Sequence, residues 1–346
     1  MTSNHTSPFF SRFLSASLAA VTLLLLAGCG GSEPTTRTTA DGRVLTKVTL
    51  QTDWYPQAEH GGYYQAAAKG FYAEVGLDVE ILPGGPGSFG TQRVATGQAE
   101  FAMSRSDEMM LAVQEGLPLV IVSALMQHDP QALLLHAANP VNSFADLDGK
   151  TVMLTPGAAW VRYIERRNNI RLNVIPLNYG LAQFMADPNF IQQCFVTNEP
   201  YYVKANGGNP KTLLISDSGY DPYRVIFTST KFARERPEIV RAFVAASIRG
   251  WDDFMNGDPS PAKAMISARN ESMTTEFMAY SIEAMRTARL VSGNPDAGER
   301  TGLLKRARLQ RGAENLHSLG ILPEVMPLER YVSFDFLPPE LAPLTD

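Results

Sequence analysis

The stretch KVTLQTDWYPQAEHGGYYQAAAKGFYAEVGLDVEIL, residues 47–82, predicts a strand, a loop, a helix and a second strand in immediate succession. Its opening residues alternate in polarity and are rich in β-branched side chains, which is typical of a strand. Apolar residues then recur at helical spacing over 63–75, and Gly76 supplies a helix stop before the strand 77–82. This order favours two parallel strands joined by a right-handed crossover.

Strand and helix patterns keep alternating beyond this stretch, first to residue 125 and then in a second series that begins near residue 139. We therefore predict an α/β fold with two lobes, each a mostly parallel sheet flanked by helices. The predicted boundaries are 47–136 and 221–346 for lobe 1, the C-terminal helices included, and 137–220 for lobe 2.

Composition and charge indicate a globular protein and argue against nucleic-acid binding. The chain has 346 residues, 45% of them hydrophobic, which is ample for a buried core. Its formal net charge is −5, and both signs are dispersed along the sequence. Because binding to phosphate backbones needs a concentrated positive surface, we do not expect a nucleic-acid partner.

The N-terminus has the layout of an export signal. An apolar run of small residues over 13–28 is followed by Cys29, and Leu26-Ala27-Gly28-Cys29 resembles a bacterial lipoprotein box. We expect residues 1–29 to be a signal peptide, with Cys29 acylated and the protein exported and anchored to a membrane. An ordinary signal peptide or an uncleaved anchor would be the alternative. Residues 30–46 are rich in Gly, Ser, Thr and Pro, which predicts a flexible tether.

Polar and aromatic residues are concentrated in the loops that follow the predicted strands. In an open α/β sheet, ligands bind just beyond the carboxyl ends of the strands, so two lobes facing each other there would form one cleft. The candidate ligand-binding residues in and around these loops are Asp53, Trp54, Tyr55, His60, Tyr63, Gly85, Ser88, Ser104, Arg105, Thr155, Trp160, Glu199, Asp221 and Tyr223.

Several of these residues allow two interpretations. Trp54 could stack on a flat ligand or only cover the sheet edge, and His60 could contact a ligand or cap the next helix. The glycines around Gly85 could form an anion-binding nest or a plain turn. Ser104 could instead cap a helix, and Glu199 could be ion-paired or point into the cleft.

Signatures of catalysis are weak. The sequence contains no G-x-S-x-G and no H-E-x-x-H motif, and its five histidines show no metal-ligand spacing. Cys194 lies in an apolar strand and is expected to be a core thiol without a disulfide partner. We expect neither a metal nor another cofactor.

The opening segment resembles the solute-binding proteins of ABC importers, in the group that also contains the thiamine-pyrimidine synthases. Further similarity lies in VATGQAEFAMS, EGLPLVIVSAL, FADLDGKTV and KFARERPEIVRAFVAAS, which together extend over most of 47–255. The resemblance implies a two-lobed periplasmic-binding-protein fold of type II and a monomer that delivers a small solute to ABC permease and ATPase subunits. Trp54, His60 and Glu199 match the positions that surround an aminopyrimidine in the pyrimidine-binding members.

The same resemblance raises the alternative of a pyrimidine synthase. Synthases of this group carry a lysine that binds pyridoxal phosphate, a histidine that is consumed, and a CCCFC run. Ser104 and Glu108 occupy the lysine and histidine positions here, and the zone around GYDPYR contains no cysteines. The expected function is therefore capture of a small planar heteroaromatic nutrient, such as a thiamine-pyrimidine precursor, and not an enzymatic reaction.

Overall fold

The computed structural model describes residues 35–346, and it has two separate β-sheets, each flanked by helices. The predicted two-lobed α/β architecture is confirmed. The signal peptide, Cys29 and the first residues of the predicted tether lie outside the described residues. Within 35–346, no helix combines the length and the apolar character that crossing a membrane requires.

The sheet of lobe 1 contains six strands in the order β1-β2-β4-β11-β5, with β3 beside β2. β3 and β4 run parallel to β2, whereas β1 is antiparallel to it and β11 is antiparallel to both of its neighbours. The strands are β1 (Thr36–Thr38), β2 (Val44–Gln51), β3 (Leu77–Leu82), β4 (Phe101–Arg105), β5 (Leu119–Met126) and β11 (Arg224–Ser229).

The sheet of lobe 2 contains five strands in the order β10-β6-β9-β7-β8. β7 pairs in parallel with β8 and β9, while β6 is antiparallel to both β9 and β10. The strands are β6 (Gln131–His136), β7 (Thr151–Leu154), β8 (Asn173–Pro176), β9 (Ile191–Phe195) and β10 (Pro210–Leu214).

The helices of lobe 1 come from both ends of the chain. Those before the second lobe are α1 (Gly61–Ala68), α2 (Phe71–Glu74), α3 (Gly90–Ala95) and α4 (Ser106–Gln114), and those after it are α8 (Thr230–Glu235), α9 (Pro237–Asn256), α10 (Ser260–Ser267), α11 (Thr275–Thr287) and α12 (Arg306–Ser318). Lobe 2 carries α5 (Ala159–Asn168), α6 (Ala182–Ala186) and α7 (Glu199–Ala205).

The glycine pair that follows the aromatic loop brings two helices into close contact. Gly61 and Gly62 begin α1, which packs on α9. A Cβ at Gly62 would overlap the ring of Trp251, and one at Gly61 would overlap Phe254. Gly250 of α9 faces the backbone of α1 in the same way. Only glycines allow the two backbones to approach this closely, and the helix they begin places the preceding loop at the sheet edge.

Three details differ from the sequence analysis. The sheets are mixed and not mostly parallel, because β11 and β6 each return antiparallel to their neighbours when the chain changes lobe. The strand over 131–136 belongs to lobe 2 and not to lobe 1, since it pairs with β9 and β10. The later part of the predicted tether is not a free linker, because Thr36–Thr38 pairs with Val44–Thr46 as a hairpin at the sheet edge.

Candidate functional site

A cleft of about 1080 Å³ lies between the lobes, at the strand ends where the sequence predicts it. Both lobes supply its walls: lobe 1 through the loop after β2 and the junction of β4 with α4, lobe 2 through the loops after β7, β8 and β9. Of the residues predicted to bind a ligand, six line this cavity, namely Asp53, Trp54, Tyr55, Arg105, Thr155 and Glu199.

Asp53 is held in the cleft by two partners. Its Oδ1 lies 3.0 Å from Nε2 of His60, and Nη2 of Arg224 donates to its Oδ2 at 2.9 Å. Burial alone would raise the pKa of the Asp53 carboxyl, but the charge of Arg224 and the hydrogen bond with His60 lower it to about 2. Asp53 is therefore a fixed anion at neutral pH, and about a quarter of its side chain is exposed (28%).

His60 supports this carboxylate and does not reach the cleft. Its side chain is fully buried, and it makes no side-chain cap hydrogen bond to α1. Neither interpretation of His60 left open by the sequence describes it, because its partner is Asp53. It orients the residue that faces the cavity.

The second guanidinium of the cleft is neutralised by neighbouring carboxylates. Nε and Nη2 of Arg105 donate to the two carboxylate oxygens of Asp107, both at 3.1 Å, and Nη1 donates to Gln131. Tyr220 also donates to Asp107 at 2.6 Å. Because this bidentate pairing uses most of the guanidinium's donors, Arg105 is poorly placed to bind an anionic ligand by itself.

Aromatic side chains from the two lobes meet over the cavity. The rings of Trp54 in lobe 1 and Tyr179 in lobe 2 have centroids 5.5 Å apart and planes tilted by 34°. Tyr55 packs edge-on against Trp54, also at 5.5 Å. Tyr179 is 62% exposed and has a positive φ of 62°, a sparsely populated conformation for a non-glycine residue. An exposed aromatic in such a conformation is typical of a functional position.

Glu199 provides a carboxyl group of a different kind. It lies at the start of α7, and one carboxyl oxygen accepts a hydrogen bond from the backbone N–H of Phe195 at 2.8 Å. Burial raises the pKa of Glu199 to about 7, partly offset by hydrogen bonds from backbone N–H groups. The cleft therefore contains a permanently ionised Asp53 and a Glu199 that can be neutral near pH 7, and so can donate as well as accept a hydrogen bond.

The remaining predicted residues lie outside the cleft. Ser88 and Ser104 line a smaller adjoining pocket, and Gly85 packs under the ring of Tyr55. Tyr63 and Trp160 are core residues, 1% and 0% exposed, since their large rings fill the interior beneath α1 and α5.

Asp221 and Tyr223 lie on a separate pocket of about 630 Å³. There Asp221 pairs with His128 at 2.6 Å and with Arg308 at 2.8 Å. The guanidinium of Arg308 covers the ring of Tyr223 at 4.0 Å. These contacts explain why neither residue is available to a ligand in the cleft.

Sequence reasoning missed two prominent members of the cleft. Arg224 begins β11 and ends the segment GYDPYR, of which only Asp221 and Tyr223 were predicted to bind a ligand. Tyr179 follows β8 in the loop LNYG, a strand-end loop that the same rule would have selected. No group of three or more His, Cys, Asp or Glu side chains within 35–346 is arranged to hold a metal ion.

Two curated relatives of this chain are named as binding proteins. It is 29% identical over 258 residues to the riboflavin-binding protein RibY of Chloroflexus aurantiacus, covering 69% of this chain and 73% of the relative. It is 25% identical to the formylaminopyrimidine-binding protein of Halalkalibacterium halodurans, covering 72% and 77%. A shorter match, 29% identical over 31% of this chain and 34% of the relative, is to a 4-amino-5-hydroxymethyl-2-methylpyrimidine phosphate synthase of Legionella pneumophila.

Solved structures agree on the fold. A putative periplasmic sulfonate-binding protein SsuA of Methylobacillus flagellatus superposes with a TM-score of 0.62 at 14% identity, covering 84% of this chain and 92% of that one. The predicted periplasmic-binding-protein fold is thereby confirmed. The family model described as "NMT1/THI5 like" matches residues 57–262, more than half of the sequence, and the chain belongs to this family.

Proposed function

We propose that this protein is the extracytoplasmic solute-binding component of an ABC importer, and that it captures a small planar heteroaromatic nutrient by closure of its two lobes. The observation that carries the proposal is the facing pair Trp54 and Tyr179, one from each lobe, above the ionised Asp53. A flat ring between two aromatic side chains gains stacking energy, and its polar edge can donate to a carboxylate below. The named binding relatives support a ring-shaped ligand.

Binding of this kind needs no bond chemistry. A ligand that touches both walls of the cleft favours the closed arrangement of the lobes over the open one, and closure presents a distinct surface to a permease. Asp53 fixes the orientation of the ring, while Glu199 can donate or accept at the lobe 2 side. A thiamine-pyrimidine precursor, which carries ring nitrogens and an amino group, has matching donors and acceptors.

The direct test is ligand binding by the protein produced without residues 1–34. Calorimetric titration with an aminopyrimidine, riboflavin, an alkanesulfonate and nitrate should give a signal with one of the ring compounds. A ligand at 100 times its Kd should stabilise the folded state by about 2.7 kcal/mol, visible as a raised Tm. Binding of the sulfonate or nitrate, with no response to any ring, would contradict the proposal.

The synthase alternative is favoured only by the family relation and the shorter match. At the positions where the resemblance places the reactive lysine and histidine, Ser104 donates to Glu108 at 2.7 Å. Neither side chain can form a Schiff base with pyridoxal phosphate. Mixing the protein with pyridoxal phosphate should give no Schiff-base absorbance, and mass spectrometry should show every histidine intact.

The lipid anchor belongs to the same proposal. Acylation at Cys29 would hold the binding lobes near the permease at a membrane surface. The full-length protein should fractionate with membranes when expressed in a bacterium that processes lipoproteins, whereas C29S should be soluble or unprocessed. If C29S is processed and still associates with membranes as much as the wild type does, acylation at Cys29 is contradicted.

A further inference from the structure

A second pocket of about 360 Å³ opens in lobe 1 beside the cleft. It is lined by Ser88, the first turn of α3 and residues of α4, and it shares Asp53, Glu108 and Leu111 with the lining of the cleft. Glu108 is therefore at the junction between the two spaces. A ligand whose ring is bound under Trp54 could extend a substituent past Glu108 into this side pocket.

The polar lining of the side pocket is acceptor-rich. It includes three carboxylate residues, Asp53, Glu108 and Glu115, and among the lining residues within 35–346 there is no Lys, Arg or His. The guanidinium of Arg105 lies 3.4 Å from Glu108, and it is already paired with Asp107. Asp53 is paired with Arg224, but a negatively charged substituent would still meet the carboxylates of Glu108 and Glu115.

The hydroxyl groups of the pocket have already used their hydrogens. Ser104 donates to Glu108 at 2.7 Å, and Thr52 lies 2.9 Å from the carbonyl oxygen of Trp54, to which it donates. Thr91 donates to the side-chain oxygen of Gln92 at 2.8 Å. Because a hydroxyl has one hydrogen and two lone pairs, these groups can still accept but not donate. The amide of Gln92 and the first N–H groups of α3 remain donors, but the carboxylates and these hydroxyls together favour a substituent that carries hydrogen-bond donors.

From this geometry we propose that the side pocket binds an arm of the ligand that donates hydrogen bonds and carries no negative charge, and that Glu108 selects against phosphorylated forms. The arm would be a hydroxylated chain or an amino group. This inference rests on the proposed function, because it presupposes a ring in the cleft. It separates this site from that of the solved neighbour named for sulfonate binding, whose ligand is an anion.

The test compares ligands that differ only by a phosphate on the arm. The two pairs are riboflavin with flavin mononucleotide and hydroxymethyl-aminopyrimidine with its phosphate. For the pair that binds, the phosphorylated member should bind at least about tenfold more weakly to the wild-type protein. In Glu108→Gln this difference should shrink by about fivefold or more, because a carboxylate charge is replaced by an amide.

Glu80→Gln is the matched control. Glu80 is an exposed residue of β3 outside both the cleft and the side pocket, so its replacement changes the net charge equally without changing the site. It should leave the discrimination between the two members unchanged. An equal loss of discrimination in Glu80→Gln would mean that overall charge, and not Glu108, is responsible, and it would overturn the inference.

Other outcomes distinguish a failure of the inference about the arm from a failure of the proposed ring binding. If both members of a pair bind with the same Kd, or the phosphorylated member binds more tightly, the inference about the arm is wrong while ring binding stands. If the phosphorylated member binds more tightly and this gain is lost in Arg162→Gln, then Arg162, an exposed residue of the opposite wall, binds the phosphate. That result also overturns the inference about the arm. If no member of either pair binds, the proposed ring-binding function fails and this inference fails with it.

Discussion

Trp54 and Tyr179 approach to 5.5 Å between ring centroids although 124 residues separate them in sequence and they belong to different lobes. The distance is within the range of favourable aromatic pairs. These two side chains therefore link the walls of the cleft directly. A ligand ring that enters between them would replace the contact that the two aromatics make with each other.

Removing either ring should weaken ligand binding without unfolding the protein. For Trp54→Ala we expect Kd to rise about 10- to 100-fold, because stacking and apolar contact with the ligand are both lost. Tyr179→Ala should act in the same direction with a smaller effect, since that ring is mostly exposed. Val44→Ala is the control: Val44 is 63% exposed and lies outside both the cleft and the side pocket, so Kd should not change. Calorimetric titration measures all three.

The contact between α1 and α9 should be highly sensitive to added volume. Gly62→Ala places a methyl group against the Trp251 ring, and we expect a loss of about 1–3 kcal/mol in the free energy of unfolding. Urea denaturation measures this loss. Ala245→Ser, on the exposed side of α9, should change stability by no more than about 0.5 kcal/mol. Equal stability of Gly62→Ala and the wild type would show that the helices need no close approach.

Glu199 should make stability depend on pH. Its pKa in the folded protein is about 7 against an ordinary value of 4.5, so the folded state retains a proton that the unfolded state releases. The free energy of unfolding should therefore fall as pH rises from 4.5 to 7, by at most about 3 kcal/mol from this group.

Glu199→Gln removes that titration. Because burial also raises the pKa of Glu59 and Asp129, the wild type contains further contributions of the same sign. The informative quantity is the difference in unfolding free energy between wild type and Glu199→Gln at each pH. A difference that stays constant from pH 4.5 to 7 would contradict the raised pKa of Glu199.

Replacing only one member of the ion pair between Asp53 and Arg224 should destabilise the folded protein. Arg224→Met leaves the carboxylate without its cation, and we expect a loss of about 3–5 kcal/mol in the free energy of unfolding at pH 7. The double variant Asp53→Asn with Arg224→Met should recover part of this loss, because the Asp53 charge is then absent and only Asp129, 3.9 Å from Arg224, still loses a cation. Denaturant unfolding of both single variants and of the double variant gives a double-mutant cycle. If the two single losses in unfolding free energy add up to the loss in the double variant, the residues are not coupled.

Acid should weaken the same pair in the wild type. The pKa of Asp53 is lowered from 3.8 to about 2, so its contribution to stability is present above pH 3.8 and is lost as pH falls through 2. In Arg224→Met the carboxyl should titrate at a higher pH. Carbon NMR of the Asp53 carboxyl follows both titrations, and an unchanged pKa in the variant would rule out Arg224 as the cause of the shift.

Polarity and spacing in the sequence predicted those parts of the site whose positions depend on residues close to them in sequence. The strand before Asp53 and the helix after His60 follow from polarity and spacing, and together they place Trp54 and Tyr55 at a sheet edge. Glu199 was found by the same rule, since it follows β9. These residues are adjacent in sequence to the elements that position them.

What the sequence could not provide is the pairing of distant segments. Tyr63 and Trp160 are aromatic residues near strand-end loops, yet burial by α9 or by the core of lobe 2 directs them inward. Arg224 is 171 positions from Asp53 in sequence and reaches it only because β11 lies beside β4. The mixed sheets have the same origin, because no local pattern indicates which strand will insert antiparallel.

The position of β11 has a consequence for biogenesis. This strand occupies the interior of the first sheet, between β4 and β5, but it is synthesised after the whole of the second sheet. Until residue 229 has left the ribosome, the earlier strands β4 and β5 have no neighbour between them, and α1 has no α9 to pack against. Such long-range pairing delays folding, since distant segments must be brought together before any contact stabilises them. The first lobe to be synthesised is thus the last to be completed, because the sheet of lobe 2 has all of its strands once residue 214 has emerged.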